Sequence, residues 1–472
     1  MTTAVEILDA RADGRLFRFG FAAFHASTPI SGHVLRDWSR LAVGDFVVCT
    51  HPEVEIRLVR GRTGVSVALG DVFVGHGDRA LDEVLARYAE VGDPALTDVL
   101  SGRFALLRVA DGELSVLNDP LGTRSVCYRQ TSPRIVGSHP ALVAELAGDR
   151  LDRETTMYMG SDEYRARRTR YLPGDATRYR NIKMLVPNNV LDVRSGRTRR
   201  FALSQAPSGL LDTENYLEML DDYFARYARY LDTGRSLVVG ATGGSDSRAL
   251  IAALRAHGVR PRLLTWPGLD DTEIEIVGQI VKHTGLDHVM VSSVSPAPGS
   301  DRLREIAALN TSFTRGRPTL PGIVAPHVDR QELFLRGYGG EVFRGSWNSQ
   351  FVPLAGEGAS FAVRQYLTWK VKSPSADHLD FTTRAFDGFF ERGNVDPARP
   401  PYDIGDLHYL EHRMAMWASN VSNELDPVMS SHSFFNSRIL FAASLRLPPA
   451  ERRGVQLMQR ITSRYDADLA AL

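Results

Sequence analysis

Hydrophobic and polar positions repeat with two different periods along this chain, and the change falls near residue 212. In the first half, short runs of β-branched and aromatic residues alternate with polar ones and end at turn residues, which is the pattern of β-strands. These runs are GRLFRFGFAAF (14–24), DFVVCTH (45–51), EIRLVRG (55–61), GVSVALGDVFVG (64–75), GRFALLRVADG (102–112) and ELSVLND (113–119). The first half is therefore expected to be a β-rich layered domain.

Turn and helix signals add detail to this half. The tripeptide Ala110-Asp111-Gly112 lies between the last two runs and predicts a β-hairpin. Residues 80–92 and 139–148 have helical periodicity instead. The layered domain is thus expected to carry at least these two helices.

The second half begins with a long amphipathic helix. Residues 214–231 place Tyr216, Leu220, Phe224 and Tyr227 near one helix face. Strands and helices then alternate, with strands at 235–240, 261–266, 288–293 and 332–337 and helices up to 257, over 272–285 and after 301. This alternation predicts a parallel sheet with right-handed crossovers.

The length of 472 residues favours two domains. The polar segment SQAPSGLLDT, residues 204–213, separates the two patterns and is the expected linker. We therefore expect domains at 1–205 and 206–472.

Composition excludes several classes of protein. Basic and acidic residues balance at 56 each, so neither nucleic acid nor an anionic membrane is an expected partner. The sequence contains no run of about 18 apolar residues, so no membrane span is expected. The first residues lack the apolar core of a secretion signal. Cys49 and Cys127 form neither a disulfide framework nor a zinc spacing. A cytoplasmic protein is expected, and a homodimer stays open.

The sharpest local feature follows the predicted strand that ends at Gly240. The next residues, Thr242–Ser247, read TGGSDS and lead into a helix rich in alanine and leucine. Ligands of open α/β sheets bind where the end of a strand meets the start of a helix, and two glycines let the backbone approach an anion closely. The segment predicts a phosphate-binding loop with hydroxyl donors at both ends. A glycine-rich turn in a plain Rossmann-like unit is the alternative.

Asp246 lies in the first turn of that predicted helix, where it would repel a phosphate unless a cation stood between them. A Mg²⁺ ion that bridges this carboxylate and pyrophosphate resolves the conflict. No lysine follows the glycines, so the segment is not a Walker loop. A loop that holds pyrophosphate without this lysine suits cleavage between the α and β phosphates of ATP.

At these residues the sequence resembles a known family. TGGSDS is similar to the SGGxDS loop of N-type ATP pyrophosphatases, which asparagine synthetase, β-lactam synthetase, carbapenam synthetase and lasso-peptide cyclases share. The resemblance implies that ATP binds here, with Leu264 and Thr265 near the adenosine. The nucleotide contacts that it implies around the loop are Gly240, Thr242, Gly243, Gly244, Ser245, Asp246 and Ser247.

A second motif supports the resemblance. LFLRGYGGEVFRG, residues 333–345, is similar to the family's GxGxD segment, whose acid helps to hold Mg²⁺ and pyrophosphate. Glu341 takes the place of that acid, so the implied metal ligands are Asp246 and Glu341. The nucleotide contacts implied in this segment are Gly339, Gly340 and Arg344.

Tyr338 stands where β-lactam and carbapenam synthetases have a tyrosine and asparagine synthetase has a glutamate. In those ring-closing enzymes a glutamate orients the tyrosine, which helps to deprotonate the attacking amine. The resemblance therefore implies a catalytic role for Tyr338. Glu411, on a helix predicted over 409–425, is the candidate acceptor for its proton, and a packing role for Tyr338 is the alternative.

The resemblance continues to the C-terminus through FFNSRIL, residues 434–440. The family has a lysine in its last segment that stabilises charge during adenylation and acyl transfer. Gln456 falls near that place, and no lysine follows Lys372. The arginines that could supply the charge are Arg452, Arg453 and Arg460.

The first half resembles the glutaminase half of asparagine synthetase, a class II amidotransferase, at 102–104 and 119–122. Such a glutaminase uses the thiol of its first residue, with its own α-amine as the base. This chain starts with Met1 and Thr2, and its two cysteines are expected in the core. We therefore expect an inactive scaffold that does not hydrolyse glutamine. Thr2 as an N-terminal nucleophile is the alternative.

Together these features predict an α/β protein. An Ntn-hydrolase-like β-rich sandwich is followed by a parallel α/β ATP-pyrophosphatase domain of the adenine nucleotide α-hydrolase type. The resemblance implies an ATP-dependent, AMP-forming amide ligase of specialised metabolism, such as antibiotic biosynthesis, with ATP and Mg²⁺ as cofactors. Its partners would be small-molecule or peptide carboxylate and amine substrates. A macrolactam-forming peptide cyclase, and a degenerate homologue that only binds nucleotide or a partner protein, stay open.

A zinc site is a further alternative. His408 and His412 match the HxxEH pattern, which places two histidines on one helix face. A third ligand is not visible nearby in the sequence.

Overall fold

The computed structural model describes residues 14–204, 208–232, 234–292, 295–345, 358–368 and 374–472. Thr2, Lys372 and residues 205–207 of the expected linker lie outside the described residues. Within the described ranges, no helix is both long enough and apolar enough to cross a membrane.

The first half forms antiparallel strands and short helices. The strands are β1 (Phe21–His25), β2 (Ser39–Val43), β3 (Phe46–Thr50), β4 (Ile56–Arg60), β5 (Gly64–Val74), β6 (Leu100–Ala110), β7 (Glu113–Asn118), β8 (Cys127–Arg129), β9 (Ile135–Gly137), β10 (Ile182–Met184), β11 (Asn189–Asp192) and β12 (Arg197–Arg200). The α-helices are α1 (Leu81–Val91), α2 (Pro140–Ala147), α3 (Arg153–Gly160) and α4 (Asp162–Arg165), with 3₁₀ turns at Gly32–Leu35 and Pro94–Thr97.

These strands form two sheets of six, in the orders β10-β8-β9-β1-β3-β2 and β12-β11-β7-β6-β5-β4. Phe21 and Val48 of the first sheet and Leu69 and Leu107 of the second pack in one core between them. Helix α1 covers the outer face of the second sheet, and α2 covers the outer face of the first. The result is a four-layered arrangement of helix, sheet, sheet and helix, so the predicted β-rich layered structure is confirmed.

Two local predictions for this half had different outcomes. The hairpin is confirmed, because Ala110 pairs with Glu113 across a two-residue turn with φ of 54° at Asp111 and 73° at Gly112. The prediction of a strand over 14–24 is wrong for residues 14–20, because β1 begins only at Phe21. Phe17 has a φ of 51°, and its N–H donates to Asn310 Oδ1 at 2.9 Å, so a contact with the second half overrides the local pattern.

The second half contains one parallel sheet and many helices. The strands are β13 (Leu237–Gly240), β14 (Arg262–Thr265), β15 (His288–Met290), β16 (Leu333–Arg336) and β17 (Ser430–Ser433). The helices are α5 (Thr213–Leu231), α6 (Ser245–Ala256), α7 (Asp271–Thr284), α8 (Asp301–Asn310), α9 (Leu320–Val324), α10 (Gly340–Phe343), α11 (Gly358–Thr368), α12 (Ala376–Arg392), α13 (Ile404–Leu407), α14 (Ser419–Leu425), α15 (Arg438–Ser444), α16 (Pro449–Arg452), α17 (Gln456–Tyr465) and α18 (Ala467–Ala471). A 3₁₀ turn at Ala325–His327 and a π-helix at His408–Ala418 complete the list.

The sheet has the order β15-β14-β13-β16-β17, and all neighbouring strands run parallel. Its side chains alternate between two cores, with Val239 on the α6 side and Val238 on the α14 side. The predicted parallel sheet and its first four strands are confirmed. Strand β17 has the polar sequence SSHS, which gave no strand signal, although all four residues are buried.

Buried polar contacts join the two halves. Arg103 Nη1 and Nη2 lie 2.5 and 2.8 Å from the carboxylate oxygens of Asp426, and the two side chains are 1% and 0% exposed. Asn436 Nδ2 donates to Gly102 O at 2.5 Å and to Asp119 Oδ1 at 2.7 Å. The residues 102–104 and 119–122 that carry the glutaminase resemblance thus include contacts to the second half. The exact division at 205 and 206 stays a prediction.

Candidate functional site

Two loops meet at the point where the strand order of the parallel sheet reverses. Strand β13 lies in the middle of the order, with β14 on one side and β16 on the other. The loops after β13 and β16 therefore leave the same edge of the sheet at the point where the strand order reverses, and such a crevice is where open α/β sheets bind ligands. Both glycine-rich motifs of the sequence begin at this crevice.

The loop Thr242–Ser247 is held by its own hydroxyl groups. Ser247 Oγ donates to Thr242 O and Gly244 O, both at 2.9 Å, and the Gly244 N–H donates to Thr242 Oγ1 at 3.2 Å. Gly244 is the N-cap of α6, so Ser245 and Asp246 lie in its first turn as expected. The loop therefore presents the positive end of the α6 dipole at the crevice.

The second glycine-rich segment packs directly on this loop. A Cβ atom at Gly340 would lie 2.5 Å from Asp246 Oδ1, and one at Gly337 would lie 3.0 Å from the Asp246 carbonyl. Gly339 has a φ of 98°, which favours glycine. Larger residues at Gly337 and Gly340 would separate the loops, so these glycines set the distance between the predicted metal ligands.

The charges in the crevice are arranged around Asp246. Arg344 Nε and Nη2 donate to Asp246 Oδ1 and Oδ2 at 3.0 and 2.9 Å. Glu341 Oε2 accepts from the Gly339 N–H at 3.0 Å. Burial and the neighbouring charge of Asp246 together raise the pKa of Glu341. Burial is the larger cause and the charge of Asp246 the smaller one, and a cation held between the two carboxylates would offset both effects.

Mg²⁺ fits this pair of residues. The described part of the chain has no cluster of three or more His, Cys, Asp and Glu side chains that could hold a metal by themselves. Mg²⁺ does not need one, because it is commonly bound by one or two carboxylates together with substrate phosphates. Asp246 and Glu341 would be those two ligands, with Arg344 free to turn to a phosphate.

Tyr338 lies at the crevice with its ring against a guanidinium. It is 8% exposed, the Arg336 guanidinium carbon lies 4.4 Å from its ring centroid, and its hydroxyl is 2.9 Å from Ser422 Oγ. Trp417 lies beside it, with ring centroids 6.1 Å apart. The hydrogen-bond partner of the Tyr338 hydroxyl is therefore Ser422 on α14, whereas the sequence predicted a carboxylate.

Glu411 is not the hydrogen-bond partner of Tyr338, and this expectation is corrected. Its carboxylate accepts from Arg200 Nη1 and Nη2 at 2.7 and 2.5 Å. Asn188 Nδ2 and Tyr402 Oη donate to Glu411 Oε1 at 3.0 and 2.8 Å. A guanidinium from β12 binds both oxygens of Glu411, so Glu411 forms a buried contact between the halves. The hydroxyl of Tyr338 pairs with Ser422 instead.

The residues expected near the adenosine lie on β14, beside the phosphate loop. Leu264 is fully buried and pairs with Gly240 in the sheet. Thr265 Oγ1 donates to Ala241 O at 2.9 Å, which ties β14 to the start of the loop. Both residues lie next to the loop, and their contact with an adenosine stays a prediction.

The three C-terminal arginines differ in position. Arg452 is 5% exposed. It donates to Val342 O and Phe343 O at 2.8 and 2.9 Å and forms an ion pair with Asp406 at 2.6 Å. It therefore fixes the end of the second glycine-rich segment. Arg453 and Gln456 are exposed, and Arg460 forms an ion pair with Glu451 at 3.0 Å.

The zinc alternative for His408 and His412 lacks a third ligand among the described residues. Both rings are buried, lie 4.8 Å apart and pack against Phe386 at 5.7 and 4.7 Å. Burial lowers the pKa of His408 to about 3, and burial lowers that of His412 well below its ordinary value. These are neutral core histidines at neutral pH.

We expect His408 to make the stability of the protein pH-dependent. Its pKa is lower in the folded than in the unfolded state, so its stabilising contribution is present above about pH 6.5 and is lost as the pH falls towards 3. Between pH 7 and 5 this group alone would reduce the free energy of unfolding by about 2 kcal/mol. Urea unfolding of wild type and His408→Leu at both pH values measures it. An equal pH dependence in both proteins would contradict the prediction.

The cysteines occupy the core, as expected. Cys49 and Cys127 are both fully buried, and burial raises the pKa of each thiol. A thiol with a raised pKa is a poor nucleophile. Four further residues near the crevice were not predicted from the sequence, namely Trp266, Arg336, Arg413 and Ser422. An arginine at the end of a buried parallel strand, as in LFLR, was the available signal for Arg336.

No family model and no curated protein matches the chain. Similar solved structures include NMN synthetase from Francisella tularensis, at 13% identity and a TM-score of 0.20 over 43% of this chain and 96% of that one. The glutamine phosphoribosylpyrophosphate amidotransferase from B. subtilis, complexed with ADP and GMP, has 12% identity and a TM-score of 0.23 over 72% and 73%. Glutamine-dependent NAD⁺ synthetase from Acinetobacter baumannii, complexed with ADP, has 11% identity and a TM-score of 0.18 over 54% and 64%. TM-scores of 0.18 to 0.23 do not establish a shared fold.

Proposed function

We propose that this chain is an ATP-dependent, AMP-forming amide ligase that adenylates a carboxylate and joins it to an amine. The observation that carries the proposal is the meeting of two glycine-rich loops at the switch point of the parallel sheet. Together they bring a helix N-terminus, Asp246, Glu341 and Tyr338 into one crevice. The four-layered first half is proposed to be an Ntn-type scaffold, and the second half an ATP-pyrophosphatase domain.

In the first step, the substrate carboxylate attacks the α-phosphorus of ATP. A bond forms between the carboxylate oxygen and phosphorus, the α–β anhydride bond breaks, and pyrophosphate leaves. The N–H groups of 243 and 245 and the α6 dipole would hold the phosphates. Asp246 and Glu341 would hold Mg²⁺, which neutralises phosphate charge when bound. Arg344 pairs with Asp246 in this structure, and it would pair with a phosphate instead once Asp246 binds the metal.

In the second step, an amine attacks the acyl carbon, and AMP leaves. The amine must lose a proton, and Tyr338 is the proposed acceptor or relay. Its hydroxyl touches Ser422 Oγ, which offers a path for the proton away from the acyl group. The Arg336 guanidinium over the ring would stabilise negative charge on the phenol.

A pyrophosphate-release assay tests the proposal. Purified protein is incubated with Mg-ATP and a panel of amino acids, amino-substituted acids and peptides, and pyrophosphate and AMP are measured. Release that depends on one acid supports adenylation. Absence of ATP binding, tested by calorimetry, would sink the proposal. ATP binding without turnover would favour the nucleotide-binding homologue, and a peptide substrate would favour the peptide cyclase.

We expect Tyr338→Phe to slow amide formation by roughly 10²–10⁴-fold, the usual contribution of general base assistance. Adenylation should be nearly intact, because the carboxylate needs no proton acceptor to attack phosphorus. Exchange of labelled pyrophosphate into ATP reports the first step, and product mass reports the second.

Ser422→Ala is the matched variant for Tyr338→Phe. If Ser422 relays the proton, this variant should also slow the second step alone. An equal loss of both steps in Tyr338→Phe, or a loss of neither, would identify Tyr338 as a packing residue.

A further inference from the structure

Arg336 is a charged residue at the crevice that no step above requires as a ligand contact. It is the last residue of β16, on the same sheet face as Phe334. Its guanidinium carbon lies 4.4 Å from the ring centroid of Tyr338, 5.5 Å from that of Phe334 and 5.8 Å from that of Trp266. Aromatic rings thus surround the guanidinium.

No carboxylate of the described residues is within ion-pair distance of this guanidinium, although the charges of Glu341 and Glu424 act on it from farther away. Nη1 of Arg336 is buried and has no hydrogen-bond partner there. Nearby arginines are paired, since Arg344 binds Asp246 at 2.9 Å and Arg315 binds Glu424. Burial lowers the pKa of Arg336. A buried charge without an ion-pair partner in contact is costly, and a negatively charged ligand at this guanidinium would lower that cost.

The residue that follows Arg336 in the chain contacts the proposed phosphate loop. Gly337 follows Arg336, and a Cβ atom there would lie 3.0 Å from the Asp246 carbonyl and 3.2 Å from the Ser247 nitrogen. On the other side, the Trp266 ring would lie 3.0 Å from a Cβ atom at Gly240, the residue that ends β13. Arg336 therefore lies at the end of β16 with its guanidinium near Trp266, which follows β14. It is beside the backbone at which the loop after β13 starts.

We infer that Arg336 binds a phosphate group of the nucleotide, from the sheet face opposite α6. The inference rests on the proposed function, because it names a further contact of the same nucleotide. Backbone N–H groups and the α6 dipole act from one side of the crevice, and the guanidinium acts from the other. A planar guanidinium can donate two parallel hydrogen bonds to one phosphate, which suits this role.

The test uses Arg336→Met, Arg336→Lys and a control in the same sheet. Arg262→Met is the control, because Arg262 begins β14 at the opposite edge and pairs with Glu332 at 2.7 Å. Calorimetry measures the affinity for Mg-ATP and for inorganic pyrophosphate, and thermal unfolding of the unliganded proteins reports folding.

We expect Arg336→Met to weaken the binding of both ligands by roughly 10- to 100-fold, the effect of one charge-assisted hydrogen bond. Arg336→Lys should retain part of the affinity, since an ammonium still pairs with phosphate. The unfolding temperature of unliganded Arg336→Met should stay the same or rise, because an unpaired buried charge is removed. Arg262→Met should leave both affinities unchanged.

The contrary outcomes separate this inference from the proposed function. Wild type that binds neither Mg-ATP nor pyrophosphate would overturn both. Tight binding by wild type that Arg336→Met leaves intact would overturn the role of Arg336 alone. A lower unfolding temperature with no rescue of affinity by lysine would also overturn it, because the residue would then be a packing element of the aromatic cluster.

Discussion

Asp246→Asn should reduce pyrophosphate release by about 10³-fold or more, because metal-ion charge stabilisation is worth several kcal/mol. Asparagine has the volume of aspartate but no charge, so the contact with the glycine at 340 is kept while the proposed Mg²⁺ ligand is lost. Glu341 would remain as the single carboxylate beside it. Arg344 would lose the bidentate partner that it now holds at 2.9 and 3.0 Å.

The measurement is ATP-dependent pyrophosphate release, together with the Mg²⁺ dependence of ATP binding. Asp271→Asn is the matched control, because this exposed aspartate also lies in the first turn of a helix at the sheet edge. The control should keep wild-type activity. If Asp246→Asn released pyrophosphate at the wild-type rate, the magnesium role of Asp246 would be refuted.

Asp426→Ala should destabilise the protein by about 3–5 kcal/mol, because it leaves the Arg103 guanidinium buried without an ion-pair partner. Only the longer hydrogen bonds to Thr123 O and Asn423 Oδ1, both 3.3 Å, would remain. The side chains of Arg103 and Asp426 are 1% and 0% exposed, so water cannot replace the lost carboxylate. Arg18 Nη1 also donates to the backbone carbonyl of Asp426 at 2.9 Å, and this contact survives the substitution. The destabilisation therefore isolates the side-chain pair between the halves.

Chemical denaturation measures this change in the free energy of unfolding. The double variant Arg103→Met/Asp426→Leu should recover most of the loss, since neither charge is then buried alone. Asp82→Ala removes a partner of Arg57 in an exposed pair, 56% and 51% exposed, and should change stability little. A loss in Asp426→Ala no larger than that of Asp82→Ala would show that the buried pair does not hold the halves together.

The sequence predicted the elements that depend on local periodicity. Strand β13 and helix α6 were visible as an apolar run that changes to a helical pattern, because burial on both sheet faces requires such a run. The glycines at 243 and 244 marked the loop between them for the same local reason. Alternation of strand and helix then implied a parallel sheet, and the structure has one.

Strand β17 shows where this reasoning fails. Its serines and histidine are polar, yet they are buried because their partners come from distant segments. His432 Nε2 is 2.8 Å from Asp71 Oδ2, and Ser433 Oγ donates to Tyr338 O. Hydrogen bonds to the other parts of the chain make up for the lack of apolar side chains, and no local pattern records them.

The sequence by itself determined where the glycine-rich loop lies, that Asp246 begins the helix after it, and that a parallel sheet carries both. Only the tertiary structure decided the pairing of charges: Asp246 with Arg344, Glu411 with Arg200, and Tyr338 with Ser422. The physical reason is that periodicity depends on neighbours in the chain, whereas ion pairs and hydrogen bonds depend on distance in space. Arg200 and Glu411 are 211 residues apart in sequence, and only the packing of β12 on the second half brings them together.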